Sequence, residues 1–208
     1  ALADQGVVHV VRGDREVDLD RAVGAGAWGS FFHQGQICMT TGRHLVHESL
    51  YAEYVRRLAE KANAITVGDP AAADVGLGPI IDAGQRDKIH TLVTDSVAAG
   101  ATLAAGGTYE ELFYRPTVLA DPTASVPAYR EEVFGPVAVV TPFGSDDEAV
   151  KLAVDSPYGL SLGVLTANPL RGLALAERIP TGIVHVNDQT VNDEANVPFG
   201  GVGASGTG

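Results

Sequence analysis

One cysteine, one methionine and one tryptophan occur among the 208 residues of this chain. A lone cysteine cannot close an internal disulfide, which fits a reducing compartment, and the expected location is the cytoplasm. Basic residues are scarce as well. Fourteen Lys and Arg stand against 26 Asp and Glu, giving a formal charge of −12 and a pI near 4.7. Phosphate backbones demand a basic face, so this balance argues against nucleic acid as a partner. No apolar run approaches the roughly 18 residues that span a bilayer. The opening residues also lack a basic stretch followed by an apolar core and a cleavage site. Neither a membrane partner nor export is expected.

What is present suits a soluble α/β protein: 45% hydrophobic residues, 25 glycines and modest charge, in a chain long enough for one substantial core. Gly6 to Arg12 is β-branched and reads as a strand ending in a Gly13-Asp14 turn. Asp18 is a good N-cap for a helix in which Leu19, Ala22, Val23, Ala27 and Phe31 recur at helical spacing. Arg43 to His47 reads as a strand. Ser49 is a cap for a long helix lined by Tyr51, Tyr54, Val55, Leu58, Ala62 and Ile65. Asp82 with Gln85, and Ser145 with Glu148, spell capping boxes for two further helices, the first burying Ile89, Leu92, Val93 and Val97. Asn168-Pro169 opens a helix carrying Leu173, Ala174 and Ala176, stopped by Pro180. Strand candidates lie at 101–103, 113–119, 136–140, 160–165 and 182–187. Strands alternating with helices predict a mainly parallel sheet covered on both faces.

Two glycine patterns imitate dinucleotide-binding loops. Gly24, Gly26 and Gly29 spell G-x-G-x-x-G, but a capped helix precedes them where the pattern requires a strand. They read instead as places where another element packs closely. The run from Gly200 to Gly206 likewise lacks an abutting strand and a following helix, and reads as a close-packed turn. His44 and His47 invite a metal, yet residues three apart on a strand point to opposite faces, so no metal site is expected.

The remaining cysteine lies in Phe31-Phe32-His33-Gln34-Gly35-Gln36-Ile37-Cys38-Met39-Thr40-Thr41, where a helix gives way to a strand. A lone cysteine is ordinarily a small buried hydrophobe. One that follows a Gly-bearing polar turn can also be a nucleophile, with its own N–H helping to hold an oxyanion.

The words around Cys38 resemble the active-site segment of the aldehyde dehydrogenase superfamily. Three further stretches agree in the same order: Asp18-Leu19-Asp20-Arg21-Ala22-Val23, then Glu131-Glu132-Val133-Phe134-Gly135-Pro136-Val137, then Pro198-Phe199-Gly200-Gly201-Val202-Gly203-Ala204-Ser205-Gly206. The run Val186 to Glu194 is most similar to the benzaldehyde and vanillin dehydrogenase branch. The resemblance implies oxidation of an aromatic, benzaldehyde-like aldehyde to the acid with NAD or NADP, NAD favoured, in a homo-oligomeric dimer or tetramer. It makes Cys38 the nucleophile, and Glu132 and Phe134 the residues that meet the nicotinamide ribose and ring. Phe32, Ile37, Met39 and Phe199 would wall the substrate tunnel, with Asn187 at its floor or bonding backbone at a strand end. Each of these apolar residues can equally be ordinary core, and Glu131-Glu132 a solvated pair.

Two departures stand out. The family's general-base glutamate sits in a Glu-Leu-Gly-Gly-Lys word that this chain does not contain. Residues 1–17 resemble a remnant of the cofactor-binding domain, as if a block were missing near Val17/Asp18, while 18–208 resemble the catalytic domain short of its C-terminal tail. The strand in that remnant is therefore expected to have lost its sheet neighbours, and the chain alone to turn over little aldehyde. Two other readings stay open: a cysteine hydrolase or acyl transferase pairing Cys38 with His33, and an inactive assembly fragment.

Overall fold

Asp18 starts the first helix as its side chain predicts, accepting a hydrogen bond from the Arg21 amide at 3.0 Å. That helix, α1, runs Leu19–Phe31. A computed structural model describes residues 7–11, 17–122 and 125–206, with β1 (Val7–Val11) ahead of α1. A tight 3-10 turn (Phe32–Gly35) leads to β2 (Arg43–His47) and α2 (Glu48–Ala64). Then follow α3 (Ala83–Ala98), β3 (Thr102–Ala105), β4 (Tyr109–Glu110), β5 (Phe113–Tyr114), β6 (Thr117–Ala120) and α4 (Pro127–Arg130). The last third holds β7 (Val137–Phe143), α5 (Asp146–Val154), β8 (Tyr158–Gly159), β9 (Ser161–Leu165), α6 (Pro169–Ala176), β10 (Ile183–Val186) and β11 (Val202–Gly203).

Seven strands form one sheet in the order β10-β9-β1-β2-β7-β6-β3, parallel at every pair except β3 with β6. The α/β class with a mainly parallel sheet is thus observed. The period-two rule divides the core between the two faces. Val46, Val118, Ala138 and Val140 pack against Ala22, Val23 and Phe31 of α1 and Tyr54 and Leu58 of α2. On the opposite face Leu119, Val137 and Val139 meet Ile89, Leu92 and Val93 of α3. Leu45, Phe143, Leu162 and Val164 meet Ala149 and Ala153 of α5 and Leu175 and Ala176 of α6.

The first strand corrects an expectation. Rather than standing without neighbours, β1 lies between β2 and β9, with Val10 in register with Leu45 on one side and Val164 on the other. Without it those two partners would each present an unpaired edge. The Gly13-Asp14 turn lies outside the described residues.

Other differences are local. The cap of α2 is His47, whose Nδ1 accepts from the Ser49 amide at 3.2 Å; Ser49 is already inside the helix. Val97 and Leu173 are exposed, because the buried stripes of α3 and α6 run through Ser96 and through Gly172, Leu175 and Ala176 instead. Strand 113–119 is broken before Thr117, where Pro116 has no N–H to give a ladder. Ser145 caps α5 through the Glu148 amide, but the Glu148 carboxylate accepts from the Gly144 amide, one residue short of a reciprocal box.

Candidate active site

After α1 the chain makes an abrupt bend. His33 (φ 51°), Gln34 (φ 59°) and Gly35 (φ 63°) follow one another in the left-handed region. For each of the two non-glycine residues this costs about 1–2 kcal/mol, which surrounding contacts have to offset. Those contacts are present. Gln36 Oε1 accepts from the Ile81 amide at 3.1 Å, and Gln34, with its amide oriented to suit its neighbours, accepts from the Gly78 amide at 2.7 Å. At Gly35 a Cβ would overlap the Gly135 carbonyl, so two backbones touch there. The bend ends in an Ile37–Thr40 turn closed by Thr40 N–H to Ile37 O at 2.9 Å, with Ile37 N–H donating to Thr40 Oγ1 at 3.3 Å.

Cys38 sits within that turn, half-buried. With Ile37 and Val191 it packs against Met39, Leu160 and Ile183. Ile37 and Met39 are therefore beside the sulfur-bearing residue, as the sequence leads one to expect.

Glu132 and Phe134 lie on the turn between α4 and β7, the segment that Gly35 touches through Gly135. Phe134 is also left-handed (φ 50°). Gln85 holds the turn from α3, its Nε2 donating to the carbonyls of Val133 and Phe134 at 3.0 and 2.9 Å. Gln85 was read as half of a capping box; its amide is spent on this turn instead. The acidic pair is not equivalent: Glu131 is exposed, whereas Glu132 is half-buried.

Asn187 (φ 62°) ends β10. Its Oδ1 accepts from the Thr166 amide at 2.8 Å, and its carbonyl accepts from Arg21 at 2.5 Å. Both contacts bond backbone at the strand end. Among the described residues, six non-glycines have positive φ, and four of them are His33, Gln34, Phe134 and Asn187. Such outliers cluster where function over-determines the backbone.

The two phenylalanines stand apart. Phe32 stacks on Trp28 (centroids 4.3 Å, planes 13° apart) in a cavity of about 410 Å³ that also has Ile65 and Leu77 in its wall. Phe199 lines a different cavity of about 220 Å³ with Ile183, His185 and Val197, and the two share no residue. Ile183 connects the second cavity to the Cys38 cluster. His33 turns its ring edge-on to Phe32 at 4.6 Å, a packing contact. Among the described residues His185 Nε2 is buried with no hydrogen-bond partner, and burial holds its pKa below the usual histidine range against a smaller upward pull from Asp188.

Both glycine fingerprints prove to be packing devices. A Cβ at Gly26 would strike the Tyr54 hydroxyl, and one at Gly29 the Thr41 hydroxyl. Val202–Gly203 pairs antiparallel with β8 within a turn. His44 is fully buried and bonded to Ser30 and Tyr54.

The model of the aldehyde dehydrogenase family matches residues 8–208. The chain belongs to that family. It is 70% identical over 193 residues to a vanillin dehydrogenase of an Amycolatopsis species, covering 93% of this chain and 40% of that protein. It is 47% identical over 201 residues to the benzaldehyde dehydrogenase [NAD(+)] of Pseudomonas putida, covering 97% and 41%. Among solved structures, a salicylaldehyde dehydrogenase from Pseudomonas putida G7 complexed with salicylaldehyde superposes with a TM-score of 0.94 at 36% identity, over 99% of this chain and 42% of that one. The chain thus spans about two fifths of the length of these aldehyde dehydrogenase relatives. Residues that sequence reasoning missed are Gln85, Thr41 and Thr190. Their signal was faint, since a polar side chain that braces a turn leaves no periodicity.

Proposed function

We propose that this chain supplies the nucleophile-bearing part of an NAD(P)-dependent aldehyde dehydrogenase for aromatic, benzaldehyde-like aldehydes. The observation that carries this reading is the backbone contact between Gly35 and Gly135, which joins the Cys38 turn to the Glu132–Phe134 turn. In this reading the Cys38 thiolate adds to the carbonyl carbon, and its own backbone N–H shares in holding the resulting oxyanion. Loss of hydride leaves a thioester on Cys38; water then releases the carboxylic acid and restores the thiol. A nicotinamide dinucleotide, when bound, supplies the hydride acceptor.

The residues present fit one end of that cofactor. Glu132 is half-buried, on a turn held by Gln85 and Gly35, and is suited to accept from ribose hydroxyls, while Phe134 positions the ring. Among the described residues neither glycine run forms a phosphate cradle. NAD is favoured over NADP because a 47% identical relative is named for NAD(+). Ile37 and Met39 are assigned the inner wall of the aldehyde site, Phe199 an outer wall joined to it through Ile183, Phe32 a wall on the separate cavity beside Trp28, and Asn187 the support of the site's floor. Residues 18–208 are assigned to the catalytic domain, and the protein to the cytoplasm as a homo-oligomer.

Two measurements test this. A p-nitrophenyl benzoate incubation should leave one benzoyl group on the 208-residue chain by intact mass, and none on Cys38→Ala. When the chain is joined to a family cofactor-binding domain, Cys38→Ala should cut benzaldehyde-dependent NAD reduction by about 1,000-fold or more. Undiminished reduction by that variant would refute the assignment. The chain alone, which has no general-base glutamate word, should reduce NAD only marginally.

A further inference from the structure

Five polar side chains with no solvent exposure, Ser30, Thr41, His44, Tyr54 and Thr190, lie behind the cysteine turn. Their protons can be placed by elimination. Thr190 Oγ1 lies 2.8 Å from the Met39 carbonyl, which can only accept, so the Thr190 hydroxyl donates there. Thr41 Oγ1, 2.7 Å from Thr190 Oγ1, must therefore be the donor in that pair. In a second chain Ser30 Oγ lies 2.8 Å from the Thr41 carbonyl and 2.7 Å from His44 Nε2. Its single proton goes to the carbonyl, so Nε2–H donates to Ser30, while Nδ1 lies 2.9 Å from the Tyr54 hydroxyl.

Both chains run one way and converge on residues 39–41, immediately after Cys38. Gly29 leaves room for the junction, since a Cβ there would strike the Thr41 hydroxyl. The Thr41 amide donates to Gly29 O at 2.9 Å. From the 188–199 segment, Thr190 reaches across to bond the Ile37–Thr40 turn.

We propose that Thr190, oriented by Thr41, is a positioning residue for Cys38: it anchors the Met39 carbonyl and so fixes the turn from which the thiol is presented. This rests on the reading of Cys38 as nucleophile. Cys38 is half-buried against Met39, so release of that carbonyl lets the turn loosen and uncover the sulfur. An unanchored turn then presents the thiol more often but less precisely.

The test uses the fact that this chain has one cysteine, so iodoacetamide uptake by intact mass reports Cys38 alone. Thr190→Val removes the donor while keeping the shape, and should speed alkylation about tenfold, the scale of one hydrogen bond lost from a buried group. Thr190→Ser keeps the hydroxyl and should stay within about twofold of the parent. Thr41→Val, which spares the bond to Met39, should fall between and serves if Thr190→Val fails to fold. The increase should not depend on sub-denaturing urea, because it arises within the folded state. Equal rates for folded Thr190→Val and parent, or a rise that grows with urea, would overturn the proposal. Alkylation needs neither aldehyde nor cofactor. Its failure therefore leaves the dehydrogenase reading standing, whereas failure of that reading would appear as absent benzoyl capture.

Discussion

Residues 29–41 and 187–199 flank the same cysteine turn, meet at Thr190, and are built in opposite ways. The first segment is held from outside itself: Gly35 on Gly135, Gln36 on Ile81, and Ser30 on His44. Apart from Asn187 and Thr190, which bond other elements, the second is bonded to itself. Gln189 bonds Val191 through both its amide atoms, Asn192 bonds Asp188, and Asp193 to Phe199 are exposed. One wall of the candidate site is thus fixed by long-range contacts along its length, and the other is pinned at Thr190 and otherwise an exposed loop bonded to itself. The chemistry assigned to Cys38 needs the first kind, since a misplaced nucleophile loses the advantage of orientation. A site that admits a substrate gains from having the second kind opposite.

Matched glycine substitutions offer the sharpest way to break this contrast. At Gly35 an added Cβ overlaps the Gly135 carbonyl and φ is 63°, so Gly35→Ala should cost about 2–4 kcal/mol in urea unfolding. At Gly182 a Cβ would overlap the Gly200 carbonyl, an even closer approach, but with no left-handed φ and against backbone just past the exposed loop. Gly182→Ala, which meets backbone but adds no φ strain, should cost less, about 1–2 kcal/mol. Equal costs would end the distinction between a fixed wall and a soft one.

A smaller effect is expected from Gln85→Ala, which removes both bonds to the Val133 and Phe134 carbonyls. About 1–2 kcal/mol of stability should go, with no change in Cys38 alkylation beyond about twofold. A larger alkylation change would mean that the Glu132 turn, not Thr190, governs the thiol.

The smallest effect belongs to the soft wall. Burial disfavours the charged form of His185, with Asp188 opposing more weakly. The folded state then binds fewer protons than the unfolded one below the ordinary histidine pKa of about 6.5. The contribution of His185 is fully present above that pH and lost as pH falls from there through the lowered folded value. His185→Gln should flatten the decline of melting temperature between about pH 6.5 and 5. An unchanged slope would show that the loop leaves His185 effectively solvated.

Much of the frame was legible because capping and periodicity are local. Asp18, Asp82, Ser145 and Asn168 cap the helices they announce. The rejected glycine fingerprints could be judged from the elements around them. The environment of Cys38 was half legible: Ile37 and Met39 lie beside it in the chain and in space, whereas Phe32 and Phe199 part into two cavities. Helical rotation carries Phe32 to the Trp28 side, and nothing in its spacing from Cys38 announces that. What the sequence could not reveal were bonds across large separations, such as Thr190 to Met39 and Gln85 to Phe134, where a single hydroxyl or amide decides the geometry.

The place of β1 has a consequence for assembly. Val7 registers with Ser161, so the central ladder joins strands far apart along the chain. During synthesis β1 can dock on β2 early, but its other flank stays open until β9 emerges. A partner strand from elsewhere could seize that flank in the interval. Closure of the sheet is therefore a slow, non-local event, and the yield of folded molecules should be governed by how long that gap stands open.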